Sequence, residues 1–339
     1  MKTLYLPASD PNTCDAAAKI LREGGLVAIP TETVYGLGGN ALDAASSEKI
    51  FTAKGRPKDN PLIVHISGLS QWAPLVKEIT PQAMALAERF WPGPLTIILE
   101  KSDLIPMETS GGLNTIAVRM PVDETAKRLI EAAGVPVAAP SANTSGMPSP
   151  TKARYVIEDM MGRIDAIIDG GDCSVGLEST VITLATDKPR LLRPGGVTVS
   201  MLEEVLGEID VDPAVYDKLD DTQKAASPGM KYKHYAPKAR VTLLKGSFEK
   251  FAEYIGKNAD EKTAALCFDG EEKKLGIKCI TYGKENDSLS QAQRVFSALR
   301  EVDETGAERV YARYPDKNEI GPAVYNRLIR AAAFEVIEL

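Results

Sequence analysis

Two histidines, four cysteines and two tryptophans are all that 339 residues contain of those types. With so few Cys and His, no structural zinc site is expected. Cys14, Cys173, Cys267 and Cys279 lie far apart without metal-ligand spacing, which reads as buried free thiols in a reducing cytoplasm. No apolar run approaches the length of a membrane span, and the opening residues, MKTLYLPASDPNT, lack a signal-peptide core. A cytoplasmic protein without a membrane partner is therefore expected. A Walker A sequence is missing, so any ATP site is not a P-loop. An excess of basic charge is missing too. The net charge is −7, divided as −3 over residues 1–200 and −4 over the remainder. Neither part is the basic body of a protein that holds nucleic acid by neutralising phosphates. The balance points to an enzyme acting on small molecules.

What is present is an alternation of short strands and capped helices. The 44% hydrophobic and 26% charged content is that of a globular chain, and the length suits two domains. After the strand "TLYL", Asp10 and Pro11 read as a helix start, and Gly24–Gly25 as its end. Thr80–Pro81 repeats the start signal before "QAMALAERFW". Strands are predicted at "LVAIP", "LIVHIS", "LTIILEK", "TIAVRMP", "VPVAAP", "AIIDGG" and "STVITLA". Residues 1–206 thus form one α/β domain with a large, mixed and twisted sheet. Residues 207–238, acidic and then rich in Pro and Gly, form a linker. Residues 239–339 alternate strands ("ARVTLLK", "TAALCF", "KCITYG", "RVYARY") with helices such as "SLSQAQRVFSALREVDE", giving a small parallel βα domain.

Several stretches carry chemistry. "GLGGNA", Gly36 to Ala41, formally fits a dinucleotide fingerprint, but "PTETVY" separates it from the preceding strand. Its glycines read instead as a tight turn or close packing. "KGRPKDNPLIVHI" sets Lys54, Arg56, Lys58 and Asn60 in a loop stiffened by Pro57 and Pro61, followed by His65 in a strand. Such a loop loses little entropy when its cations fix an anion, although a K-x-R loop alone is most often a solvated face and a strand histidine most often core. "APSANTSGMPSPT", residues 139–151, puts hydroxyls and an amide after a strand end, where α/β sheets bind ligands; a surface turn with a helix cap fits it as well. Glu178, Ser179 and Thr180 enter another strand, and Arg193 ends one. Arg119 lies within an apolar strand, where an unpaired cation is costly, so it needs a carboxylate from the protein or from a ligand. "SPGMKYKHYAPK", residues 227–238, interleaves cations and rings in what is otherwise a connector.

In the order "PTETVYGLG", "KGRPKDNPLIVHI", "WPGPLTIIL", "VAAPSANTSGMPSPT", "ESTV" and "RPGG", these segments resemble the YrdC-like threonylcarbamoyl-AMP synthases. "SPGMKYKHYAPK" and the second domain resemble the longer, two-domain form of that family, so the likeness covers essentially the whole chain. It implies a YrdC-type twisted mixed-sheet α/β domain followed by a smaller Rossmann-like domain. The reaction implied is an adenylyl transfer: L-threonine, bicarbonate or CO2, and ATP give threonylcarbamoyl-AMP, pyrophosphate and water. Magnesium is expected on the ATP phosphates, with no protein ligand assigned. Downstream machinery then modifies tRNAs that read ANN codons, and stable tRNA binding by this chain is not expected.

By resemblance, Lys54, Arg56, Ser141 and Asn143 form the active-site quartet. Arg56, Asn60, Thr115, Ser141, Ser149, Arg193 and Tyr235 are the ATP contacts. Thr33, His65, Arg119, Ala139 (through its backbone) and Ser179 line the threonine site. The linker is expected to fold over the mouth of the first domain, with Lys231, Lys233 and His234 near the anionic side of the nucleotide. Many relatives have Arg at one or both of the positions that hold Lys231 and Lys233 here, and Lys cannot reproduce a bidentate contact. Two other readings fit parts of the pattern. One is the carbamoyl-transfer domain of hydrogenase maturation proteins, whose additional acylphosphatase and Cys-rich modules are missing here. The other is an RNA-binding module gripping a duplex by a concave cationic surface.

Overall fold

The computed structural model describes residues 2–217, 235–316 and 318–339. The first part of the chain builds a mixed sheet of eleven strands. They are β1 (Leu4–Pro7), β2 (Val27–Ile29), β3 (Gly36–Asn40), β4 (Ile63–His65), β5 (Leu95–Glu100), β6 (Thr115–Arg119), β7 (Val137–Ala138), β8 (Ala166–Asp169), β9 (Thr180–Thr183), β10 (Arg190–Arg193) and β11 (Asp210–Val211). Their spatial order is β1-β8-β2-β3-β7-β4-β6-β5-β9-β10-β11. Helices α1 (Thr13–Arg22) and α4 (Glu124–Ala133) pack together on one face. The other face is covered by α2 (Ala44–Lys54), α3 (Pro81–Phe90), α5 (Ala153–Met160) and α6 (Val199–Leu206) through side chains such as Ile50, Leu86, Val156 and Leu202.

The helix signals act largely as read. Thr80 Oγ1 accepts from Ala83 N and Pro81 opens α3. The first helix differs: Asp10 Oδ1 accepts from Asn12 N at 2.9 Å and closes a turn, so α1 begins only at Thr13. "GLGGN" differs as well. It is strand β3, antiparallel to β2 and β7, and not a tight turn. Its glycines do serve close packing, since a Cβ on Gly38 would fall 2.9 Å from Val137 Cγ1.

The second part forms a five-stranded sheet in the order β14-β13-β15-β12-β16, with every pairing parallel. The strands are β12 (Arg240–Lys245), β13 (Thr263–Cys267), β14 (Lys278–Thr281), β15 (Arg309–Arg313) and β16 (Val336–Glu338). Helix α7 (Phe248–Asn258) covers one face, and α8 (Ser288–Glu304) and α9 (Gly321–Ala331) the other. The α8–α9 core takes in Val34, Leu177 and Tyr235 from outside the second sheet, so the two parts share one apolar junction. Polar hooks surround it. Arg300 donates to Pro148 O and to Asp159 Oδ2, both at 2.7 Å; Gln293 donates to Ser174 O at 2.8 Å, and Arg330 to Ala214 O at 2.6 Å. Among the described residues no helix is long and apolar enough to cross a membrane.

Candidate functional site

Parallel β4 and β6 are in register His65 with Arg119, so the carboxyl ends of both strands deliver a ring and a guanidinium to one place. The loop after β7 crosses this edge, pinned by an isolated bridge from Ser141 to Gly36. The residues entering β9 and leaving β10 add Glu178, Ser179 and Arg193. Together they enclose a cavity of about 60 Å³, into which Thr33, Arg56, Ala139, Asn143, Ser149 and Tyr235 also face. The bend after α2 explains how Arg56 arrives there. Asp43 caps the start of α2, Gly55 ends it in the left-handed region at φ 63°, and Arg56 N folds back onto Phe51 O at 2.9 Å.

Lys54 is not a loop residue, as the sequence suggested, but the last residue of α2, and it is buried. Its Nζ donates to Ser141 O, to Asn143 O at 2.8 Å and to Asn143 Oδ1 at 3.4 Å. Asn143 Nδ2 in turn donates to Thr144 O and Met147 O, which folds the loop around the ammonium. Burial first, and Arg56 second, push the Lys54 pKa well down, while the ring of carbonyls favours the charged form. Arg56 donates to Pro61 O at 3.1 Å and lines the cavity.

Arg119 finds its carboxylate within the protein: Glu32 lies 2.6 Å away, both side chains being buried. Arg119 also donates to Thr33 Oγ1 at 2.7 Å and to Gly93 O at 3.3 Å. His65 is buried beside it, and burial with the Arg119 charge drives its pKa down to about 3, so the ring is neutral. Ser179 Oγ bonds Thr96 Oγ1 at 2.7 Å and accepts from Arg193 at 3.1 Å. Burial lowers the Arg193 pKa to about 10. Glu178 accepts from Ser149 Oγ at 2.5 Å and from Arg327 Nε at 2.8 Å. Burial raises its pKa, but the Arg327 and Arg193 guanidiniums outweigh that and hold it below the usual value.

Of the residues singled out in the sequence, Thr33, Arg56, His65, Arg119, Ala139, Ser141, Asn143, Ser149, Ser179, Arg193 and Tyr235 share this cavity. Lys54 stands behind it, holding the Ser141–Asn143 loop. Asn60 is buried outside the lining, its carbonyl accepting from Arg56 at 3.4 Å. Thr115 does not reach it either. It opens β6, four residues from Arg119, and a rise of about 3.3 Å per residue carries it to the far end of the strand. Lys58 turns away to an exposed pair with Glu48. Lys231, Lys233 and His234 lie outside the described residues. Tyr235 is described: it is buried, with φ 64°, and its ring centroid is 5.1 Å from that of Phe296 on α8. Sequence reading missed Glu32, within "PTETVYGLG", and Arg327, on α9. No group of three or more His, Cys, Asp or Glu able to hold a metal occurs among the described residues.

Comparison with known proteins gives the family. Residues 19–195 match a domain family described as telomere recombination, and residues 197–333 match the threonylcarbamoyl-AMP synthase C-terminal domain. A threonylcarbamoyl-AMP synthase of Pyrococcus abyssi is 49% identical over 330 residues, 95% of each chain. One of Bacillus subtilis is 45% identical over 338 residues, 98% of this chain and 96% of that one. The crystal structure of P. abyssi Sua5 complexed with L-threonine superposes with a TM-score of 0.92 at 44% identity, covering 100% of both chains. By sequence along its whole length and by fold, the chain belongs to the two-domain threonylcarbamoyl-AMP synthase family.

Proposed function

We propose that this protein is an L-threonylcarbamoyladenylate synthase, transferring the adenylyl group of ATP to N-carboxy-threonine and releasing pyrophosphate. One observation carries the reading: the guanidiniums of Arg56, Arg119 and Arg193 converge with the hydroxyls of Thr33, Ser141, Ser149 and Ser179 on a single cavity. The chemistry asks for that combination. Threonine's amine loses a proton and attacks carbon dioxide; the resulting carbamate oxygen then attacks the α-phosphate of ATP, and pyrophosphate leaves. An anion approaches a polyanion, so the barrier is repulsion and orientation, which fixed cations and donors lower.

Arg56 and Lys54 supply the positive field at the carbamate and phosphate, and the Ser141–Asn143 loop clasped by Lys54 sets the orientation. Thr33, Arg119 and Ser179 receive threonine, whose carboxylate joins Arg119 beside Glu32. Neutral His65 packs at that end without adding charge. Tyr235 lines the nucleotide side; ligand pockets usually measure roughly 300–1,000 Å³, so the 60 Å³ cavity takes only part of ATP. Magnesium arrives on the ATP phosphates as part of the substrate. The product then serves threonylcarbamoylation of tRNA by a separate enzyme system.

Pyrophosphate release tests the assignment. The purified chain with magnesium and ATP should release pyrophosphate only when threonine and bicarbonate are both supplied. Lys54→Ala and Arg56→Ala should each slow release by about 10²–10³-fold, the range for losing one preorganised transition-state contact, with circular dichroism unchanged. Near-normal rates in both variants would remove Lys54 and Arg56 from the mechanism.

A further inference from the structure

The second domain carries a buried cation to the cavity wall. Arg327, on α9, is fully buried. Its Nε donates to Glu178 Oε2 at 2.8 Å, its NH1 group donates to Pro194 O at 3.0 Å and Asn326 Oδ1 at 2.9 Å, and its NH2 group donates to Glu178 O at 3.4 Å. The other oxygen of the same carboxylate, Oε1, bonds Ser149 Oγ at 2.5 Å. Glu178 and Ser149 both line the cavity. Residues 149, 178 and 327 therefore form one chain of contacts running from the C-terminal helix to the site.

We propose that Arg327 is a positioning residue which, through Glu178, fixes the direction of the Ser149 hydroxyl at the nucleotide end of the cavity. A carboxylate facing a guanidinium is an acceptor only, whereas a serine hydroxyl has a single proton. The proton between Ser149 and Glu178 is therefore the serine's. What Ser149 then presents to the cavity is lone pairs. It accepts from a donor on the nucleoside, a ribose hydroxyl or the adenine amine, and does not donate to a phosphate oxygen. Without Arg327 the buried carboxyl takes up a proton or swings away. Ser149 then becomes a donor, and discrimination for the nucleoside's donor group is lost.

This inference rests on the proposed reaction in taking ATP as the nucleotide and in setting the nucleoside at the Ser149 end of the cavity, and its test reads binding directly. Titration calorimetry on the full chain compares ATP with 2′-deoxy-ATP, 3′-deoxy-ATP and purine riboside triphosphate, which lacks the amine. In the wild-type chain one of the three analogues should bind about 10-fold or more weakly than ATP, which identifies the group facing Ser149. Arg327→Met should weaken ATP about 10-fold and reduce that analogue's penalty to below 3-fold, with KM for threonine changing less than KM for ATP. Arg327→Met combined with Glu178→Met replaces the ion pair by apolar groups of similar volume and guards against misfolding. This double variant should melt close to the wild type yet still lack the discrimination. If Arg327→Met keeps the wild-type preference among the four nucleotides, or if the double variant regains it, the proposal is overturned. It is overturned equally if the wild-type chain binds all four alike. A wild-type chain that binds ATP selectively but makes no product overturns the reaction and leaves Arg327 in place.

Discussion

His65 shows how much a single side chain's surroundings decide. The ring sits on a buried strand end, bonds Ile63 O through Nδ1 at 3.2 Å and faces Arg119 in the β4–β6 register. Its folded pKa of about 3 lies below the ordinary 6.5. Between those values the unfolded chain binds a proton that the fold refuses, so this group's contribution is full above pH 6.5 and is lost as pH falls. The wild type should therefore shed up to about 1.4 kcal/mol per pH unit more than His65→Asn over that window. Denaturant titrations at pH 6.5 and pH 4.5 check it, and equal pH slopes in the two proteins would contradict it. At this scale the sequence was informative about which residues are polar in apolar company: Arg119 had to have a carboxylate partner. It could not say that the partner is Glu32, because the two are 87 positions apart along the chain and meet only when β6 is laid beside the loop after β2. Thr115 shows the converse: its residue type suits a ligand contact, but its place at the start of β6, outside the cavity lining, could not be read from type alone.

Elements were legible wherever local chemistry decides them. The Thr80–Pro81 start of α3 and the full span of α8 follow from capping and periodicity. Strand β3 did not show, since glycine runs normally signal turns, and only the lack of room for side chains against Val137 and Ile50 explains a strand made of them. The seat of α8 on the first domain has the same character. Gly176 has φ 78°, and a Cβ there would fall 2.5 Å from Gln293 Cα on α8. Gly112, at φ 77°, has nothing within 4 Å of the same added atom. Gly112→Ala should therefore cost only the left-handed strain of about 1–2 kcal/mol, while Gly176→Ala should cost about 1–3 kcal/mol more by forcing α8 off its seat. Thermal melts of the two variants measure the difference; matching losses would show that the junction does not press on this loop.

For the whole molecule, the deficit of basic charge proved the better guide than any one motif. A net charge of −7 coexists with a cavity lined by three guanidiniums, because Arg56, Arg119 and Arg193 meet there and the carboxylates nearest them, Glu32 and Glu178, are already paired. The order of short motifs carried the family. What it left unread is that the cavity belongs to both parts of the chain: α9 sends Arg327 to Glu178, and α8 supplies Phe296 against Tyr235. Such contacts join residues some 60 to 150 positions apart and leave no local pattern to find. The central claim is that this cavity joins threonine, a one-carbon unit and an adenylyl group. Incubating the intact chain with ATP, magnesium, threonine and ¹³C-bicarbonate and weighing the products by mass spectrometry tests it most directly. The account predicts threonylcarbamoyl-AMP carrying a single ¹³C, formed in step with pyrophosphate. Pyrophosphate without that adduct, or an adduct without the label, would contradict it.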